Sequence, residues 1–290
     1  MKPAPFTYHD PANLEQALTL LASLENARPL AGGQSLVSMM NFRYAIPDHV
    51  IDLNNLGELT HLEIAQNQVR LGAMLRQRDI EFSQELATIC PILHEAILKV
   101  GHRQTRNRGT VGGSLCHLDP SAELPAVMML HDAQMICASS RHERAMAMRD
   151  FMLGYMMPAL EPDEILKEVR FQVWPKGHGC AFEEYARRHG DFAIASCGVL
   201  VTLSGGKIER LAIVIGGLGS GPQRLLDFEQ TAQGRVADDA LIAAAIGVAS
   251  AVEAHDDAHV SADYRKHLAG VLCGRAFRRA ISRAKETNNG

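Results

Sequence analysis

The spacing of apolar positions divides the chain into short elements whose period changes along its length. Leu14, Ala17, Leu18 and Leu21 fall at i, i+3, i+4 and i+7, one face of an amphipathic helix. Asp10-Pro11 ahead of them predicts the helix start, because Asp caps free N–H groups and Pro fits a first turn. Arg28 to Ala31 and Val50 to Leu53 are short strand-like runs, and Leu36 to Arg43 is a helix opening on Ser35. Residues 1–57 thus predict a small βαβ-type unit with Gly32-Gly33 at a strand-to-helix junction.

From His61 the pattern becomes α+β. His61–Ala65 and Gln68–Leu71 flank Gln66-Asn67 as a hairpin. Helices are expected at Asp79–Leu86, Pro91–Val100 and Leu124–His131, with a helical turn beginning at Phe151. Strands are expected at Gln134–Ala138 and Ile165–Val173, in a largely antiparallel mixed sheet. Trp174 to Gly179 is rich in Pro and Gly and marks a boundary between residues 1–176 and 177–290. Beyond it, Cys180–Arg187, Ser196–Leu203 and Ile208–Ile215 make a three-stranded meander, with Ser204-Gly205-Gly206 as a tight turn. Helices at Ala237–Ala254 and Tyr264–Lys285 follow, giving a sheet with helices on one side. The fold class is α+β: a two-part N-terminal domain, then a smaller C-terminal one.

Two stretches carry candidate chemistry. Ala31-Gly32-Gly33-Gln34-Ser35 ends a strand, and Thr110-Val111-Gly112-Gly113-Ser114 reads as a second glycine-bearing turn ahead of an acidic loop. Glycine lets a phosphate approach the backbone, and the helix that follows offers unpaired N–H donors. Ser35 and Ser114 add hydroxyl donors, so the two turns predict one dinucleotide diphosphate held between them. Neither contains G-K-[ST], which excludes a P-loop. Gly217 to Pro222 has the spacing G-x-G-x-G and reads as a structural turn. His117, Asp119 and Glu123 lack the spacing of a metal site; the two carboxylates suit ligand hydroxyls instead, with helix capping the alternative for Asp119.

Composition narrows the classes further. The 290 residues carry a net charge of -4 and no basic run, so nucleic acid is not an expected partner. No apolar run approaches the roughly 20 residues of a membrane span. The start, MKPAPFTYHD, lacks the apolar core of a signal peptide, and six scattered cysteines without a C-x-x-C pair fit a cytoplasmic protein with free thiols. That cysteine pattern argues against an iron–sulfur cluster in this chain.

The two glycine motifs resemble the paired signature of the FAD-binding medium subunit of molybdenum hydroxylases. That family includes aerobic carbon monoxide dehydrogenase and dehydrogenases of N-heteroaromatic compounds such as quinoline 2-oxidoreductase, and is related to the flavin domain of xanthine dehydrogenase. The resemblance runs from Phe6 into the C-terminal region. It includes Asp52-Leu53, Arg106-Asn107-Arg108-Gly109, Asp119-Pro120-x-Ala122-Glu123-Leu124-Pro125 and Arg187-Arg188-x-Gly190-Asp191-Phe192-Ala193. It implies that residues 1–176 bind FAD, in pieces 1–57 and 58–176, and that 177–290 form the C-terminal domain of the subunit. The diphosphate would be held by Pro29, Leu30, Ala31, Gly32, Gly33, Gln34, Ser35 and Leu36 together with Thr110, Val111, Gly112, Gly113 and Ser114. Gly101, Thr105, Asn107 and Gly109 would line the cofactor, Asp119 and Glu123 would bind its ribose or ribityl hydroxyls, and His117 would be a further cofactor-binding residue. The backbone of Ile165 and Leu166 would approach the flavin or adenine end, and Arg187 and Asp191 would tune the flavin.

The same resemblance implies partners: a large molybdopterin-binding subunit and a small subunit with two iron–sulfur clusters of the 2Fe–2S type, in a dimer of heterotrimers. Electrons would pass from a small N-heteroaromatic substrate through the clusters to FAD and an external acceptor. Xanthine-oxidising relatives carry a lysine shortly before the double arginine; the counterpart here is Glu183 or Glu184, which bears against an NAD-reducing role. The alternative is a self-sufficient FAD oxidoreductase of similar fold, for which the sequence offers no distinctive base.

Overall fold

The computed structural model describes residues 1–288. The N-terminal piece runs β1 (Thr7–His9), α1 (Leu14–Ser23), β2 (Ala27–Leu30), α2 (Leu36–Asn41) and β3 (His49–Asp52). Its strands pair in parallel in the order β1-β3-β2, with Leu30 opposite Asp52. Parallel neighbours need crossovers, which α1 and α2 provide. Asn13, not Asp10, caps α1 by accepting from Gln16 N; Asp10 instead accepts from the Asn55 side chain.

β4 (Leu62–Ala65) and β5 (Gln68–Gly72) form the expected hairpin. Gln66 and Asn67 have φ of 51° and 63°, the left-handed pair that a two-residue type I′ turn requires. The helix expected over Asp79–Leu86 is two helices, α3 (Gln77–Phe82) and α4 (Gln84–Ile89). Ser83 separates them and caps the second through Leu86 N. After α5 (Pro91–Ile97) come α6 (Arg103–Arg108), α7 (Val111–His117) and α8 (Glu123–Leu130). β6 (Gln134–Ala138), β7 (Glu143–Ala147) and α9 (Met148–Phe151) lead into a ribbon of β8 (Met152–Gly154) and β9 (Met157–Pro158), then β10 (Ile165–Gln172). Phe151 therefore ends a helical turn instead of starting one. The sheet of this part is antiparallel throughout, in the order β4-β5-β10-β6-β7.

Glu168 ties the hairpin to β10. It is 1% exposed and accepts from His61, Arg70 and Arg170. Burial works against its ionisation, but hydrogen bonds from Arg70, Arg170 and His61 outweigh it and hold the carboxyl down at about 2. Stability from this group is complete above the usual carboxylate range and is lost as pH falls toward that value. Glu168→Ala should cost about 1–3 kcal/mol in chemical denaturation, because Arg70, Arg170 and His61, all partly exposed, lose the buried carboxylate they share.

The C-terminal part contains β11 (Gly179–Tyr185), β12 (Ala195–Ser204), β13 (Lys207–Gly216), β14 (Gln223–Arg224), α10 (Leu226–Ala232), α11 (Asp239–Ser250) and α12 (Ala262–Asn288). The predicted meander gains β14 as a short fourth strand, and α10 adds a helix. Gly205 and Gly206 make the turn with φ of 55° and 76°. Helices cover both faces of this sheet, not one. On one face its apolar side chains pack with α10, α11 and α12; on the other, Phe182, Leu200 and Val214 join the core that contains α5 and α8. α8 is consequently buried on every side, with Leu130 pressed toward Gly198. No helix among the described residues is long and apolar enough to cross a membrane.

Candidate functional site

Strand β2 delivers the chain to Ala31, and the segment that follows leaves its donors free. Among the described residues, the backbone N–H groups of Gly32, Gly33, Gln34, Ser35 and Leu36 hydrogen-bond to no protein acceptor. Gly33 has φ of +73°, a conformation in which successive N–H groups can form an anion-receptive concavity. The segment is half-buried, with Gln34 exposed.

The second glycine pair is not a turn. Gly112 and Gly113 lie in the first turn of α7, with Thr110 as its cap. The donors there are already used: Val111 N reaches Leu75 O at 3.0 Å and Gly112 N reaches Ala73 O at 2.7 Å. Gly113 N donates to Thr110 Oγ1 at 3.0 Å, and Ser114 N to Thr110 O at 3.2 Å. Gly112 is required by packing, since a Cβ there would stand 2.6 Å from that of Ala73. What this turn offers a ligand is the half-buried surface of Gly113 and the Ser114 hydroxyl.

These segments meet although some seventy residues separate them in sequence. A Cβ on Gly32 would lie 2.1 Å from Arg108 O and 3.0 Å from Gly109 Cα. A Cβ on Gly113 would lie 3.5 Å from that of Ala31. Side chains absent from the sequence reading fix the approach. Asn54 Nδ2 donates to Ala31 O at 3.0 Å, and Arg76 donates to Asn54 Oδ1 at 2.6 Å and to Arg108 O at 2.5 Å. Asn54 is itself held by Asp52, which also accepts from Tyr8 Oη at 2.5 Å. Gln77 N donates to Gly109 O at 2.9 Å.

The other predicted residues surround this junction or lie beyond the far end of α7. Gly101, with φ of +44°, packs on Thr105, and the loop is anchored by Arg106, which donates to the Val100 and Gly101 carbonyls and pairs with Glu81. Asn107 Oδ1 accepts from Arg78. A seven-residue helix spans about 10 Å, so α7 carries the chain that far from Thr110 to His117. Asp119 Oδ1 accepts from Ser121 N, and Ser121 Oγ donates to Ala193 O. Glu123 is only 7% exposed and faces Glu184 of β11. Burial raises both carboxyls above the usual range, and the Glu184 charge raises Glu123 further. Burial likewise lowers His117. Ile165 and Leu166 open β10 with buried side chains, and the Leu166 backbone contacts the Cys116 thiol. Arg187 and Asp191 form no ion pair among the described residues; their loop folds onto α6 where Gly190, with φ of +86°, lies against the His102 ring.

A loop of free amides joined to a capped helix, on a parallel-stranded unit, is the framework of a dinucleotide-binding protein. Residues 4–174 match the family described as FAD binding domain in molybdopterin dehydrogenase, and residues 180–280 match the CO dehydrogenase flavoprotein C-terminal domain. The carbon monoxide dehydrogenase medium chain of Afipia carboxidovorans is 36% identical over 287 residues, spanning 98% of this chain and 100% of that one. Caffeine dehydrogenase subunit beta of a Pseudomonas species is 36% identical over 286 residues, with 98% and 97% covered. The crystal structure of quinoline 2-oxidoreductase from Pseudomonas putida 86 superposes with a TM-score of 0.93 at 33% identity, over 98% of this chain and 99% of that chain. The chain belongs to the family of FAD-binding medium subunits of molybdenum hydroxylases. It is the FAD-binding, electron-transferring subunit of an oxidoreductase complex of that family.

Proposed function

We propose that the FAD diphosphate lies between the free amides of Gly32 to Leu36 and the Gly113–Ser114 face of α7. The observation that carries this reading is the run of five unpaired N–H groups that starts at Gly32, beside Arg108 and Gly109, with Ala31 next to Gly113. Pro29, Leu30 and Ala31 bring the loop to that position, with Gln34 and Ser35 contributing polar contacts. Thr110 and Val111 hold α7 in place, and Gly112 lets it close on Ala73. Gly101, Thr105, Asn107 and Gly109 line the cofactor. Asp119 keeps one carboxylate oxygen for a ribose or ribityl hydroxyl, with His117 and Glu123 beside it. Ile165 and Leu166 border one end, and Arg187 and Asp191 tune the flavin from their loop. Residues 1–176 form the FAD-binding domain, and 177–290 the C-terminal domain.

The chemistry FAD supplies here is electron transfer, between iron–sulfur clusters served by a molybdopterin centre and an external acceptor. The clusters belong to a small subunit and the molybdopterin to a large one, assembled as a dimer of heterotrimers. Caffeine and quinoline, named in two of the similar proteins, support a small N-heteroaromatic substrate for the complex. The test is co-purification from the native source, with visible spectroscopy and metal analysis. One flavin per copy of this chain, together with molybdenum and iron on two further subunits, is expected. A colourless chain that purifies alone would refute the proposal.

A further inference from the structure

Among the described residues, Arg76 is the one guanidinium that bridges the two glycine segments. One nitrogen donates to the Arg108 carbonyl, immediately before Gly109-Thr110, and the other to Asn54, whose amide holds the Ala31 carbonyl. Both acceptors are neutral, and Arg76 forms no ion pair among the described residues. Most other partly buried arginines differ: Arg106 pairs with Glu81, Arg144 with Glu164 and Arg224 with Glu229. Burial and the nearby Arg108 charge both disfavour the Arg76 cation, with Asp79 and Asp52 opposing them only at a distance. A half-buried charge without a carboxylate partner, next to a like charge and to five free amides, is costly unless an anion completes the site.

We propose that Arg76 is a positioning residue of the cofactor site: it fixes the spacing of the two segments and leaves its charge for the diphosphate. This rests on the reading that FAD occupies the junction. Asn54 extends the same device, linking it through Asp52 to Tyr8 on β1. The residue thus joins the parallel-stranded unit to the part that follows, since Arg76, beyond β5 and bridged to Thr110, donates to Asn54.

The test uses the assembled complex stripped of flavin and titrated with FAD at low and high ionic strength, with adenosine as a competitor lacking phosphate. R76Q should weaken FAD at low salt by about tenfold or more and flatten the salt dependence, while adenosine affinity stays at the wild-type value. R76K, which keeps the charge, should retain the salt dependence and most of the affinity. Wild-type FAD affinity in R76Q, a parallel loss of adenosine, or an R76K as poor as R76Q would overturn the inference. A wild-type complex that takes up no FAD would instead remove the underlying reading, and the two failures are distinct.

Discussion

Gly32→Ala is expected to leave the complex with little or no flavin. The added methyl would stand 2.1 Å from Arg108 O and 2.8 Å from the carbonyl carbon, both main-chain atoms that no rotamer change can move. The segments cannot part freely, because Asn54 holds the Ala31 carbonyl and Arg76 holds that of Arg108. Overpacking of this kind costs about 1–3 kcal/mol, and here it falls on the spacing that a diphosphate would need. That corresponds to a loss of affinity of roughly tenfold to a hundredfold. Gly57→Ala is the control, since nothing lies within 4 Å of the position its Cβ would take. The flavin-to-protein ratio of the two purified variants decides the matter. Full occupancy in Gly32→Ala would show that the segments need not touch.

The second large effect concerns Glu123 and Glu184. Burial raises both, and each keeps a proton in the folded chain at pH values where the unfolded chain has released it. Stability from the pair is therefore complete below the ordinary carboxylate pKa of about 4.3 and falls as pH rises through the elevated folded values. Each unit of displacement is worth about 1.4 kcal/mol. Glu184→Gln removes one titrating group and gives Glu123 an amide donor, so the variant should melt higher than wild type at pH 9 and similarly at pH 5. Parallel melting curves across that range would mean the two side chains do not share a site.

The legible parts of this fold were those written in neighbouring residues. Gln66-Asn67 and Gly205-Gly206 declared their hairpins because each turn needs left-handed backbone at both central positions. Strands such as β10 are legible as runs of alternating side chains, whereas the order in which they pair is not. Local competition produced the misses. Asn13 took the cap that Asp10 promised, and Ser83 split one helix into two by capping the second. In sequence the second glycine pair reads as a turn, because Gly-Gly usually marks one. Thr110 was the available signal: a threonine two residues ahead of the pair is an N-cap, and it places both glycines inside a helix.

Arg76 and Asn54 had no such signal. The Arg76 partners lie 22 and 32 residues away in sequence, and that of Asn54 lies 23 away, so only the folded chain reveals what they hold together. Glu184 stood out only as a departure from a relative's lysine, and its burial against Glu123 belongs to tertiary structure. In the same way Asp119, a candidate for ligand hydroxyls, spends one oxygen on Ser121 N within its own turn.

The most direct measurement is an experimental structure of the assembled complex with FAD bound. The diphosphate oxygens are expected within ordinary hydrogen-bond reach, about 2.7–3.2 Å, of amide nitrogens in the Gly32 to Leu36 run, with Ser114 on the opposite side. A diphosphate lying elsewhere, with those amides facing only water, would contradict the account.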